Sequence, residues 1–130
     1  PETQPILLRM KSDFLEMCFK ACEKKLNDFA VEWEKKVSVG VVLASGGYPE
    51  YYEKGYEIKG IPEDTDDLKV FHCGTKSKDG KILTNGGRVL CITSKKEELD
   101  KAIDLAYTAV RKINWQGSFY RSDIGQRKIN

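Results

Sequence analysis

Residues 74–93, GTKSKDGKILTNGGRVLCIT, set cations beside glycine-rich turns: Lys76, Lys78 and Lys81 around the first, Arg88 directly after Gly86-Gly87. A planar guanidinium meets two phosphate oxygens at once, a nearby lysine adds a point charge, and glycine lets a ligand approach the backbone. The chemistry on offer is the binding of a phosphate. Spacing alone leaves another reading open, in which Lys78 and Lys81 are solvated edge-strand charges and Arg88 a surface strand residue.

Other groupings are plainer. Arg121, Asp123 and Arg127 of YRSDIGQR read as an ion pair with a helix cap. Tyr48 of GGYP reads as a core or rim aromatic beside a turn. Glu63, Asp64, Asp66 and Asp67 lack the spacing of a metal loop and read as a solvated loop. The only histidine, His72, lies in the apolar run VFHC and reads as a hydrogen-bonded structural residue. Cys18, Cys22, Cys73 and Cys91 fall in periodic apolar segments and read as reduced core residues; the paired short spacings of structural zinc modules are missing. No nucleophile elbow, Walker loop or dinucleotide fingerprint occurs, so catalysis by a familiar short motif has no support, and no catalytic or metal-ligating residue is assigned.

The elements that must hold these residues follow from pattern. Leu7, Met10, Phe14, Met17 and Ala21 recur at helical steps after Pro5 and predict one amphipathic helix. VSVGVVLAS, residues 37–45, predicts a buried strand, and further strands are expected near Tyr56–Ile61 and Leu68–Cys73. Lys81–Thr84 and Arg88–Thr93 are expected to pair as a hairpin around Asn85-Gly86-Gly87. Ser94 and Glu97 form a capping box for a long second helix with Leu99, Ala102, Ile103, Ala106, Tyr107, Val110 and Ile113 on one face. Helix, antiparallel strands, helix and polar tail make an α+β domain, a small curled antiparallel sheet flanked by two long helices.

With 130 residues, 40% hydrophobic and 32% charged, the chain suits one domain with its own core. A net charge of +2 argues for neither nucleic acid nor an acidic membrane as partner, and no apolar run is long enough to span a bilayer. The expected location is the cytoplasm. The opening PETQPILL, without methionine and running straight into a helix, reads as a piece of something longer.

Several blocks carry a family resemblance: GVVLASGGYPEYYEKGYEIKGI, VFHCGTK, DGKILTNGGRVLCIT and AYTAVRKINWQGSFYRSDIG, in that order, with PETQP at the start. Together they resemble the C-terminal domain of glycinamide ribonucleotide synthetase, an ATP-grasp ligase. The departures are Pro49-Glu50, where the family continues GGYPG, and Cys73, where many members have HAGT. By the resemblance, the ending soon after DIGQR is the one expected of a stand-alone synthetase.

The resemblance implies a barrel-sandwich hybrid-like module, residues 31–130, preceded by the tail end of the ATP-grasp domain and a linking helix, residues 1–30. It implies an enzyme of purine synthesis that joins glycine to 5-phosphoribosylamine with ATP and Mg²⁺ or Mn²⁺, through a glycyl phosphate. ATP and metal would be held mainly by an upstream portion of the protein, without which this stretch is expected to be inactive. The phosphate of the acceptor maps to Arg88 with Lys76 as helper; Gly86 and Gly87 clear space, and Glu2 and Thr3 lie near the acceptor. The competing readings are a non-catalytic barrel-sandwich carrier, which would need a modifiable lysine at a hairpin tip, commonly beside methionine, and a non-catalytic binding module for RNA or a partner protein.

Overall fold

The β-branched run VSVGVVLA forms strand β1 (Val37–Ala44), and the similar run after Gly87 forms β5 (Arg88–Lys96). In the computed structural model, which describes residues 2–126, β5 is the centre of a three-stranded antiparallel sheet. Its neighbours are β1 and β2 (Leu68–His72). A second, two-stranded sheet pairs β3 (Thr75–Lys78) with β4 (Lys81–Thr84).

Helix α3 (Leu99–Val110) packs on one face of the larger sheet through Ala102, Ala106 and Ala109, whose small side chains allow close approach. Helix α1 (Thr3–Arg9) packs on β1 and β5 as well. Its Pro5 Cγ sits 3.0 Å from where a Cβ on Gly40 would stand. Covered on both sides, β5 is buried from Val89 to Ser94, and its first four buried residues, Val89 to Ile92, are apolar without alternation. Val41, Leu43, Leu90, Ile92 and Val110 form the centre of the core.

The α+β class holds, with departures in detail. The single first helix is broken: Asp13 accepts from the Leu15 and Glu16 N–H groups and starts a separate helix α2 (Phe14–Cys22), so the stripe from Leu7 to Ala21 runs across two short helices. The expected hairpin at Asn85-Gly86-Gly87 does not form. The turn lies at Asp79-Gly80, whose φ values of 51° and 73° suit a two-residue hairpin between β3 and β4. The capping box gives way to the strand, because β5 runs on to Lys96; Ser94 instead donates to the Ala102 carbonyl at 2.6 Å and ties β5 to α3.

Near Tyr56–Ile61 there are single bridges, Glu57 to Leu83 and Lys59 to Asn114, in place of a strand. Only Cys91 is a core thiol, since Cys22 and Cys73 are exposed and Cys18 is half-buried. Asp67 is no solvated loop residue either: it takes Lys96 at 2.7 Å and Lys36 at 2.9 Å, which brings its carboxyl down to about 2. His72 meets Thr75 at 2.9 Å through Nδ1, as a structural histidine does.

Candidate functional site

Arg88 opens β5, and the pairing of β5 with β1 is irregular just there. Leu43 faces Leu90, while Ala44 faces Arg88, so Val89 is an extra residue on β5. Cys91 lies on the α1 side of the sheet, its Sγ beside Gly40. Strict alternation from Cys91 would send Arg88 to the opposite side. The bulge turns it back, into a cleft of about 480 Å³ whose walls include Thr3 and Gln4 of α1, Cys73, Gly86 and Gly87.

Of the residues singled out in the sequence, Thr3, Gly86, Gly87 and Arg88 therefore share one cleft. Glu2 is the N-cap of α1 next to it, and its carbonyl accepts from the Ile6 N–H at 3.2 Å. Lys76 is exposed on β3 and does not line the cleft, although Cys73, three residues before it, does. The glycines do not clear room for a ligand in the way their spacing suggests. A Cβ on Gly87 would overlap the Tyr48 ring, and one on Gly86 would stand 3.1 Å from the Gly74 Cα. Their small size admits other parts of the protein, and both still line the cleft, Gly87 buried and Gly86 half-buried.

Arg88 is exposed, and no acidic side chain among the described residues pairs with it. The Gly86 and Gly87 N–H groups have no acceptor among the described residues. A cation and two backbone donors bordering one cleft favour an anion. Burial pushes the Cys73 thiol up, and the Arg88 guanidinium works against that rise. Gln4, a cleft residue that spacing did not single out, donates from Nε2 to Cys73 Sγ at 3.7 Å, and its Oε1 is buried with no partner among the described residues.

A second groove, of about 400 Å³, lies beyond Arg88. It shares Val42, Tyr48 and Arg88 with the cleft and adds Ala44, Phe119, Tyr120, Arg121 and Ile124. Arg121 is held in two-point contact by Asp123 at 3.0 and 2.7 Å, as expected of an ion pair; Arg127 lies outside the described residues. Lys78 and Lys81 flank the β3–β4 turn, with Lys81 paired to Glu57 at 2.9 Å; the turn tip itself is Asp79-Gly80, which offers no lysine to modify. Among the described residues, no three His, Cys, Asp or Glu side chains are grouped to hold a metal, and no helix is long and apolar enough to cross a membrane.

Residues 38–127 match the family model for the phosphoribosylglycinamide synthetase C domain. The chain is 48% identical over 130 residues to a phosphoribosylamine–glycine ligase of Vibrio vulnificus, covering 99% of this chain and 30% of the relative. It is 51% identical over 131 residues to that of Salmonella typhimurium, with the same shares covered. The crystal structure of the Thermotoga maritima phosphoribosylamine–glycine ligase superposes with a TM-score of 0.74 at 36% identity, over 95% of this chain and 30% of that one. The chain thus spans about 30% of the length of the relatives it matches. A family-model match over most of the chain and close relatives across nearly all of it lead to one conclusion: this chain belongs to the phosphoribosylglycinamide synthetase family and carries its C domain.

Proposed function

We propose that this domain forms one wall of the active-site cleft of a cytoplasmic phosphoribosylamine–glycine ligase, and that Arg88 holds the phosphate of the acceptor sugar. The observation that carries the reading is Arg88 itself, turned by the bulge at Val89 into a cleft and left without an acidic partner among the described residues. The Gly86 and Gly87 N–H groups supply further donors, and Lys76 adds positive charge from β3. Glu2 and Thr3 sit at the acceptor's edge of the cleft.

In the reaction, a glycine carboxylate oxygen attacks the γ-phosphorus of ATP, giving glycyl phosphate and ADP. The amine nitrogen of 5-phosphoribosylamine then attacks the glycyl carbonyl carbon. The C–O bond to phosphate breaks, inorganic phosphate leaves, and the amine sheds one proton. This domain's contribution is positioning: anchoring the phosphate end fixes the distance of the amine from the carbonyl, and such anchoring accounts for much of the rate of a two-substrate step. The described residues offer no group of His, Cys, Asp or Glu side chains that could hold a metal ion. ATP and its Mg²⁺ or Mn²⁺ belong in this reading to the upstream portion of the protein.

That portion is also the partner of the N-terminal segment. Residues 1–30 are assigned to the end of the ATP-grasp domain and its linking helix, and 31–130 to the C domain. The family match begins only at residue 38. Helix α2 buries nothing, leaving Phe14 48%, Leu15 64% and Phe19 62% exposed. An apolar face of that extent asks for a cover.

The test is Arg88→Ala in the full-length enzyme. Losing a charged hydrogen-bond partner raises KM for 5-phosphoribosylamine by about tenfold or more, with KM for ATP changed less than about twofold. An equal rise in both constants moves the phosphate elsewhere.

A further inference from the structure

We propose a second occupant for this cleft: a nucleoside 5′-monophosphate, with its phosphate on Arg88 and its base in the aromatic groove on the far side of that residue. The proposal rests on the reading of Arg88 as a phosphate ligand.

Arg88 is common to two cavities of different character. The first offers cation and backbone donors. The second is walled by Ala44, Phe119, Tyr120 and Ile124. Its shape is held from both ends. Phe119 exchanges backbone hydrogen bonds with Ala44 at 2.8 and 3.0 Å, adding a bridge to the end of β1. The Tyr107 hydroxyl donates to the Arg121 carbonyl at 2.8 Å and accepts from the Ile124 N–H at 3.0 Å, fastening the segment to α3. Phe119 nevertheless stays 44% exposed and Tyr120 36% exposed, so apolar ring surface remains uncovered.

The acceptor of the proposed reaction is a bare sugar phosphate and makes no use of that surface. A ligand with the same phosphoribosyl group and a flat base uses both cavities at once. Bases stack on Phe and Tyr with little regard for sequence, because each has a π face. Arg121, two of whose donors go to Asp123, presents its remaining N–H groups at the groove to the base edge or ribose. Since Arg88 serves both ligands, the nucleotide and the acceptor exclude one another, and the nucleotide acts as a competitive inhibitor against 5-phosphoribosylamine.

The experiment uses the full-length protein with its ATP site saturated by a non-hydrolysable ATP analogue, and measures AMP and ribose 5-phosphate binding by calorimetry. AMP is expected to bind about tenfold tighter than ribose 5-phosphate. Phe119→Ala removes that advantage and leaves ribose 5-phosphate binding as it was, whereas Arg88→Ala weakens both. Phe119→Leu, which keeps the apolar bulk without the ring, gives the same loss of advantage if the alanine variant fails to fold. Equal affinities for AMP and ribose 5-phosphate, or an AMP advantage that survives both Phe119 variants, overturn the base groove and leave the phosphate reading intact. Ribose 5-phosphate binding that ignores Arg88→Ala overturns the phosphate reading and this proposal with it.

Discussion

The Tyr48 ring lies over Gly87, filling the place where any other residue would carry its Cβ. Because Tyr48 borders both the phosphate cleft and the aromatic groove, this contact sets the partition between them. Gly87→Ala forces the ring or the strand to move. A loss of about 1–3 kcal/mol in unfolding free energy is expected, the usual cost of overpacking, with a weaker hold on the acceptor. Urea denaturation of the variant checks it; unchanged stability would mean that Tyr48 swings away freely.

Asp67 predicts an acid-sensitive link between β5 and the chain before β1. Its carboxyl is held at about 2, first by the hydrogen bond from Lys96 and then by that from Lys36, against an ordinary value of 3.8. A depressed folded value gives stability that is whole above 3.8 and drains away as pH falls toward about 2. Asp67→Asn is expected to cost about 1 kcal/mol at neutral pH, after allowance for solvent screening, and nothing once the wild-type carboxyl is protonated. Chemical denaturation across that acid range measures the convergence.

Tyr107 joins α3 to the segment that carries the aromatic groove. Tyr107→Phe leaves the Arg121 carbonyl and the Ile124 N–H without this partner, at a cost of about 1–2 kcal/mol. Hydrogen exchange should show faster exchange in residues 118–125 with β1 and β5 unaffected; uniform protection would mean the segment is held by its Ala44 bridge alone.

Much of this architecture was legible in advance, and the failures have physical causes. The runs beginning at Val37, Leu68, Lys81 and Arg88 were plain because buried strands demand β-branched and apolar residues. Asn85-Gly86-Gly87 has the composition of a hairpin turn, yet Gly86 and Gly87 serve close approach to Gly74 and Tyr48. The true signal was Asp79-Gly80, two residues between short strands. Ser94 looked like a cap because Glu97 follows three residues later, but its hydroxyl is worth more in the core against Ala102. The orientation of Arg88 was out of reach, since it depends on one inserted residue in a pairing between strands far apart in sequence. Gln4 and Cys73 meet in the cleft across 69 positions, a contact no local spacing announces.

The α2 face supplies a contrast between the chain alone and the whole enzyme. Phe19→Asp, at a residue 62% exposed here, is expected to shift the stability of this chain by less than about 0.5 kcal/mol. In the full-length protein the same change buries a charge and costs about 2 kcal/mol or more. Thermal unfolding of both proteins makes the comparison, and equal shifts would leave α2 without a cover.

The pairing of Arg88 with a phosphate is tested most directly by removing each partner in turn. Binding of glycinamide ribonucleotide and of its dephosphorylated riboside is measured in full-length wild-type enzyme and in Arg88→Ala. If the guanidinium holds the phosphate, losing that group weakens wild-type binding by about a hundredfold and the variant by only a few-fold, so that the two changes are strongly non-additive. The same penalty in both proteins would contradict the account.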